Sequence, residues 1–286
     1  MQSHYYTEYW ALEGRHWWFR ARRRILRSLL EEARLWGRGL LDLDVGSGPG
    51  RMLEFLREGF RVIGIDRDRD ALRFAVRQTV RLLQADALVL PVRNGTVDVV
   101  SAFDLLEHLE DDLGALREFN RALRPGGHCI VTVPAFRLLW SEHDEVSHHR
   151  RRYRASELRL RFTAAGFEVI RCSYFNALLF VPIAGVRIAG RLLDWCMPGV
   201  TTRMRSDLTR FDTCALGPMF ERVMGSEAGW LRRFNLPIGV SIVCIARKPT
   251  GAQHQRALRS SYLSPRDNNR VRRPAWMESR AGLFVW

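Results

Sequence analysis

Lysine is almost absent: Lys248 is the single one among 45 basic residues in a chain of 286. Such one-sided use of arginine reads as a base-composition bias of the genome, so a net charge of +14 is not by itself a sign of nucleic-acid binding. Nucleic acid is therefore not an expected partner, and oligomeric state is not legible here. Cysteines are few and patternless. The five, at 129, 172, 196, 214 and 244, include no C-x-x-C pair, which argues against a disulfide framework and for core thiols in a reducing compartment. The N-terminal stretch MQSHYYTEYWALEGRHWWFRARRR is aromatic and charged where a secretory signal needs an apolar segment. No apolar run is long enough to span a bilayer. The longest, ALLFVPIAGV at 177–186, is followed by Arg187 and Arg191. It has two readings, a helix buried in a substrate cap or one lying at the headgroup level of a membrane. The expected location is cytoplasmic, with any membrane contact peripheral and at the inner face.

The charge is also unevenly spread. Residues 40–134 hold 15 acidic and 12 basic side chains, a net −3, whereas 135–249 carry +8. The acidic part contains LLDLDVGSGPGRMLEFL at 40–56. Its aliphatic start suits a buried strand, and Met52, Leu53, Phe55 and Leu56 recur at helical spacing. Between them Gly46, Gly48 and Gly50 leave the main chain open to a ligand and permit positive φ. A dinucleotide loop wants its third glycine at position 51, which is Arg51 here; the pattern is G-x-G-x-G instead. Asp66, ending RVIGID, can accept both hydroxyls of a ribose. S-adenosylmethionine and NAD both use such an acid, so both stay open at this point.

Strand and helix patterns then alternate through FRVIGID, DALRFAVRQTV, RLLQADA, TVDVVSAFD, DLGALREFNRAL and GGHCIVTVPAF. That alternation predicts a parallel sheet with helices on both faces and ligands at the carboxyl ends of the strands. Five segments are expected. An N-terminal helical segment takes 1–38, with an amphipathic helix over 14–36. The cofactor domain takes 39–175 and an insertion rich in Gly and Pro breaks takes 176–235. The final strand lies in 236–249, and a disordered basic tail fills 250–286.

LDVGSGPG, VIGID, QADALVLPV, VDVVSAFDLLEHLED and LRPGGHCIVTVP, in this order, resemble the motifs of the class I S-adenosylmethionine-dependent methyltransferases. The resemblance covers roughly residues 40–174 and the last strand. It implies an α/β fold, a doubly wound, seven-stranded, mostly parallel sheet with a helical cap inserted before the last strand. It implies S-adenosyl-L-methionine as cofactor, contacted by Asp44, Gly46, Ser47, Gly48, Gly50, Asp66, Arg67, Asp86, Ala87 and Phe103. Physically, Asp66 offers a bidentate acceptor to a ribose, Asp86 accepts from an adenine amino group, and Ala87 supplies a main-chain N–H. The competing reading makes Asp66 and Asp86 strand-end caps.

The acceptor side leaves two traces. DLLEH puts Asp104, Glu107 and His108 at i, i+3 and i+4, one face of a helical turn. It resembles the E-x-x-E-H metal motif of ubiquinone-pathway O-methyltransferases and small-RNA 3′-end methyltransferases, with Asp104 shortening the reach of the first ligand. The resemblance implies Mg²⁺; in metal-free relatives the same segment lines the pocket or caps a helix. SEHDEVSHHRRRYR at 141–154 supplies His143 and His148 as candidate general bases and Tyr153 as an orienting group. Arg150, Arg151 and Arg152 can hold an anion, while His149 and the outer arginines read as a solvated loop before a helix capped by Ser156. The function expected is O-methylation of a small-molecule or lipid-linked acceptor. The alternatives are RNA 2′-O-methylation and an NAD-dependent oxidoreductase.

Overall fold

In the alternating segments, strands fall where β-branched and aliphatic residues run continuously, and helices where the apolar spacing widens to three and four. The computed structural model describes residues 3–76, 80–196 and 216–250. Part of the expected cap, 197–215, and nearly all of the expected tail, 251–286, lie outside the described residues. Strands β1 (Leu41–Val45), β2 (Arg61–Asp66), β3 (Arg81–Gln84), β4 (Val97–Phe103), β5 (Leu123–Pro134), β6 (Glu168–Phe175) and β7 (Ser241–Arg247) form one sheet in the order β3-β2-β1-β4-β5-β7-β6. All neighbours are parallel except β7, which runs antiparallel between β5 and β6. The sheet is thus seven-stranded, mostly parallel and doubly wound, as expected. β1 bonds β2 on one side and β4 on the other, so the chain reverses its direction of travel there. The crevice beyond the carboxyl ends of β1 and β4 is the switch point where such sheets bind ligands.

Both faces of the sheet are buried, and the two-residue period sorts the side chains. In β7, Ile242, Cys244 and Ala246 enter one apolar cluster, with Phe119 of α5 (Asp112–Ala122) and Phe162 of α7 (Ala155–Ala164). Val243 and Ile245 enter the other, with Leu53 of α3 (Arg51–Leu56) and Ile25 and Leu29 of α2 (Trp17–Glu32). Cys129, Cys172 and Cys244 are buried free thiols. Helix α7 starts one residue before Ser156, after an extended Arg154 that makes no side-chain cap.

The N-terminal region departs from the single helix expected over 14–36. It forms α1 (Ser3–Arg15) and α2, broken at His16, whose extended backbone (φ −69°, ψ 132°) and ring Nδ1, accepting from Trp18 N–H at 3.2 Å, restart the helix. α1 crosses the glycine loop: Tyr6 donates at 2.6 Å to Oδ2 of Asp68, the residue that caps α4 (Arg69–Ala75) just past β2. The Arg51 guanidinium lies 3.5 Å from the Trp10 ring centre. Between β6 and β7 the described chain is helical, α8 (Phe180–Cys196) and α9 (Gly217–Leu231). α9 packs on α2, with Trp17 and Phe220 rings 5.4 Å apart and Ser28 Oγ donating to the Ala228 carbonyl at 3.3 Å. No helix among the described residues is long and apolar enough to cross a membrane.

Candidate active site

Three left-handed glycines turn the chain out of β1: Gly46, Gly48 and Gly50 have φ of 78°, 53° and 93°. Nothing lies within 4 Å of where a Cβ on Gly48 would sit, whereas one on Gly46 would strike Leu105 at 2.9 Å. One side of the loop is therefore open and the other is packed against the turn after β4. Asp66 Oδ2 accepts from Gly48 N–H and Oδ1 from Asp68 N–H, both at 2.8 Å. This carboxylate both shapes the loop and keeps lone pairs for a ligand. Burial, offset in part by those bonds, raises its pKa. Asp86 is exposed and accepts from Leu88 N–H at 2.9 Å, while Ala87 is buried beside it. Arg67 is exposed and Phe103 closes β4 from the apolar side.

Below the loop, Ser101 Oγ contacts Asp42 (Oδ2, 2.9 Å) and Asp44 (Oδ1, 3.1 Å). Burial pushes Asp42 up to about 7, and burial plus the Asp42 charge lift Asp44 well above the usual carboxylate range. Asp44 Oδ2 and Ser47 Oγ are buried without a hydrogen-bond partner. Buried polar atoms are normally satisfied. A cationic, donor-rich ligand end held against the glycine main chain supplies what both atoms lack, and the residues present fit the amino-acid end of S-adenosylmethionine.

The turn after β4 is not the helical turn expected. Asp104 takes a left-handed φ of 53°, its N–H bonds the Thr132 carbonyl at 2.9 Å, and only Leu106–His108 form a 3-10 turn. The Asp104 carboxylate turns toward α2, pairing with Arg22 and accepting from Thr132 Oγ1 at 3.1 Å. Arg22 is buried, with its guanidinium 4.7 Å from the Trp18 ring. The expected Mg²⁺ trio is thus divided: Asp104 is engaged by a cation, and the donors that gather are Glu107, His108 and His149, with ligating atoms within 4.8 Å of one another. One carboxylate and two imidazoles are a poor match for a hard ion that prefers oxygen. These residues do not fit Mg²⁺.

The 141–154 segment folds back on that turn through Arg150 N–H to the Glu107 carbonyl, 2.8 Å. Asp144, in α6 (Glu142–Val146), is its hub. It accepts from Arg152 Nε and Nη2 at 2.7 and 2.9 Å and from Ser141 N–H at 2.8 Å, and His149 Nδ1 lies 2.7 Å away. Burial alone would raise the Asp144 pKa; the His149 and Arg152 bonds outweigh it and hold the carboxyl well below the usual range. His149, expected to be solvated, has a side chain only 8% exposed. Its ring centre is 4.7 Å from that of His108 and 5.8 Å from that of His143. Desolvation and the neighbouring His149 push His108 down to about 4.

The other candidates lie apart from one another. His148 is exposed on a left-handed residue (φ 56°). Tyr153 is turned into the core, fully buried, donating to Asp112 Oδ2 at 2.7 Å; burial and that carboxylate raise its pKa far out of reach. It orients Asp112, not an acceptor. Arg151 and Arg161 reach the same Asp112 at 3.2 and 2.5 Å. Arg22 and Asp144 are the residues that sequence reasoning missed. For Arg22 a signal existed, since it continues the stripe Trp18, Ile25, Leu26, Leu29 at helical spacing.

A match over residues 15–171 to the methyltransferase domain family agrees with this geometry. The chain belongs to that family, which sets aside the nicotinamide alternative. A probable S-adenosylmethionine-dependent methyltransferase of Mycolicibacterium smegmatis is 32% identical over 56% of this chain and 62% of its own length. The ubiquinone biosynthesis O-methyltransferase of Vibrio cholerae is 31% identical over 44% of this chain and 55% of its own. The chain thus spans less than two thirds of either relative. Among solved structures, an S-adenosylmethionine-dependent methyltransferase of Archaeoglobus fulgidus has a TM-score of 0.51 at 16% identity, over 79% of this chain and 94% of its own. That likeness is one of fold.

Proposed function

We propose that this protein transfers the methyl group of S-adenosylmethionine to a hydroxyl of a small-molecule or lipid-linked acceptor. The observation that carries this reading is the cluster of a buried Glu107 with the half-buried His108 and His149, in and beside the turn that follows β4. A hydroxyl acceptor needs a group that takes its proton, whereas an amine mainly needs to be neutral. In-line methyl transfer then depends on holding donor and acceptor in near contact. Asp66 binds the ribose, Asp86 and Ala87 the adenine, and Asp44 with the loop main chain the amino-acid end. His143, half-buried at the rim of the cluster, is the base we assign.

The lipid-linked part is supported by α8. Its exposed positions from 181 to 189 are Val181, Pro182, Gly185, Val186, Ile188 and Ala189, without a charge among them. Val181 is 75% exposed, and Leu138, in the turn whose Leu139 carbonyl accepts from Arg187 at 2.7 Å, is 61% exposed. An apolar surface on the helix that carries Arg187 fits the headgroup region of a membrane carrying the acceptor. On this reading 176–235 is the acceptor-side cap, peripheral to the inner leaflet. The ubiquinone-pathway relative lends support to a prenylated phenol.

The test begins with calorimetric titration by S-adenosylhomocysteine, then labelled methyl transfer to prenylated phenols in anionic vesicles, to amines and to RNA. Transfer to the phenol supports the reading. Transfer to RNA alone, with salt-sensitive binding, replaces it. His143→Ala is expected to keep S-adenosylhomocysteine affinity and to lower turnover by ~10²-fold or more; unchanged turnover removes His143 from its role.

A further inference from the structure

Both oxygens of the Glu107 carboxylate are buried and have no hydrogen-bond partner. Such a group is costly to fold, and it is not left alone: two imidazoles bring ligating atoms within 4.8 Å of it. Each imidazole is held from behind. His149 Nδ1 is fixed by Asp144, itself gripped by Arg152 and Ser141. With a hydrogen on Nδ1, the lone pair of His149 is on Nε2. His108 is hydrogen-bonded to the His148 main chain, and the left-handed backbone of His148 lies in that connection. A ring nitrogen tied to a carboxylate or carbonyl, with the other nitrogen turned to a common point, is the support metal-ligating histidines have.

We propose that Glu107, His108 and His149 form a site for a borderline divalent transition ion of the Zn²⁺ or Co²⁺ kind. The donor set, one carboxylate and two imidazoles, suits such ions and disfavours Mg²⁺. It excludes Asp104, which Arg22 neutralises from the other side. Metal–nitrogen bonds of about 2.0–2.1 Å put tetrahedral ligands ~3.4 Å apart. The three ligands therefore draw in by on the order of 1 Å when the ion enters. Three protein ligands leave a fourth position open, where an acceptor hydroxyl would be made more acidic if it bound there. This deepens the O-methylation reading and fails separately from it.

The experiment titrates the EDTA-treated full chain with Co²⁺, following visible d–d absorption, with Zn²⁺ and Mg²⁺ as competitors and S-adenosylhomocysteine calorimetry run in parallel. Expected are saturable binding at one equivalent, displacement by Zn²⁺ and none by millimolar Mg²⁺. Asp144→Asn should weaken binding by ~10–100-fold, and His149→Ala and Glu107→Gln by more, while Asp104→Asn retains it. Circular dichroism checks that each variant is folded, and Glu107→Gln preserves shape should His149→Ala not fold. No Co²⁺ binding, equal affinity in His149→Ala, or loss in Asp104→Asn but not His149→Ala overturns the site. If the metal result fails while S-adenosylhomocysteine still binds, the function proposed above stands. If the metal binds and no hydroxyl acceptor is methylated, the site stands without it.

Discussion

On the assignment proposed above, the cofactor side and the acceptor side of the crevice are built by different means. At the heart of the cofactor side, residues 44 to 68, the groups are close in sequence and act largely through main chain: three left-handed glycines and a carboxylate that ties Gly48 to Asp68. On the acceptor side they are side chains brought from afar: Arg22 meets Asp104 across 82 residues, and His149 meets His108 across 41. Local chemistry tolerates little change in its few residues. A long-range cluster is held by its packing, and damage to it first appears as lost stability.

That contrast is sharpest at Asp66. Two charge-assisted hydrogen bonds to a ribose, at about 1.5–3 kcal/mol each, predict that Asp66→Ala weakens S-adenosylhomocysteine by between about 3 and 6 kcal/mol in calorimetry. The same change frees the Gly48 and Asp68 N–H groups, so Asp66→Asn, which keeps one acceptor, should fall between. Binding of Asp66→Ala at parental affinity would remove the cofactor assignment altogether.

Arg22→Met tests the other side. It leaves Asp104 facing a buried, apolar neighbour where the guanidinium was. Breaking one half of such a pair costs about 3 kcal/mol or more, which urea unfolding reads directly. Asp104 is itself one third exposed, which puts the loss at the lower end. Cofactor affinity should change less than in Asp66→Ala. If Arg22→Met is as stable as the parent and binds no S-adenosylhomocysteine, Arg22 belongs to the cofactor side and the comparison has to be redrawn.

Glu13 links the two sides at the end of α1. Burial lifts its pKa to about 7, against the pull of Arg22, Arg23 and Arg51. The folded state holds this proton more tightly than the unfolded chain does. Its stabilising contribution is therefore complete below about pH 4.5 and is lost as pH rises through 7, at most about 3 kcal/mol. Glu13→Gln removes that slope. The variant should come closest to the parent near pH 4 and exceed it at pH 8 in thermal melts; the same difference at both pH values would place Glu13 outside the buried network.

Legibility follows the same division. The strand, glycine turn and helix at 40–56, the acid ending β2 and the alternation that gives a doubly wound sheet are all local patterns, and the fold carries them as read. The turn at 104–108 did not form the expected helical face because Asp104 N–H bonds Thr132 and its carboxylate is drawn to α2. No spacing within DLLEH records either partner. His149 reads as solvated in the sequence because it lies past the end of α6 in a stretch that is neither strand nor helix, where its spacing from Asp144 and Arg152 carries no pattern. Only the fold-back onto Glu107 makes that spacing a cluster. The break at His16 was equally hidden, since it rests on a side-chain cap inside an otherwise amphipathic stretch.

The smallest expected effect concerns two histidines read alike in the sequence. His148 holds a left-handed backbone that costs an L-residue roughly 1–2 kcal/mol. Glycine relieves this but gives up roughly 0.5–1 kcal/mol of chain entropy. His148→Gly should therefore stabilise the fold by about 0.5 kcal/mol in urea unfolding, because the main-chain groups that hold His108 and the His148 N–H bond to Glu145 at 3.0 Å are kept. Its imidazole is exposed, so turnover should stay near the parental value while His143→Ala loses it. Equal losses in the two variants would carry the acceptor side out to the protein surface. They would also mean that exposure, the property that separates His148 from the buried cluster, does not decide which imidazole acts.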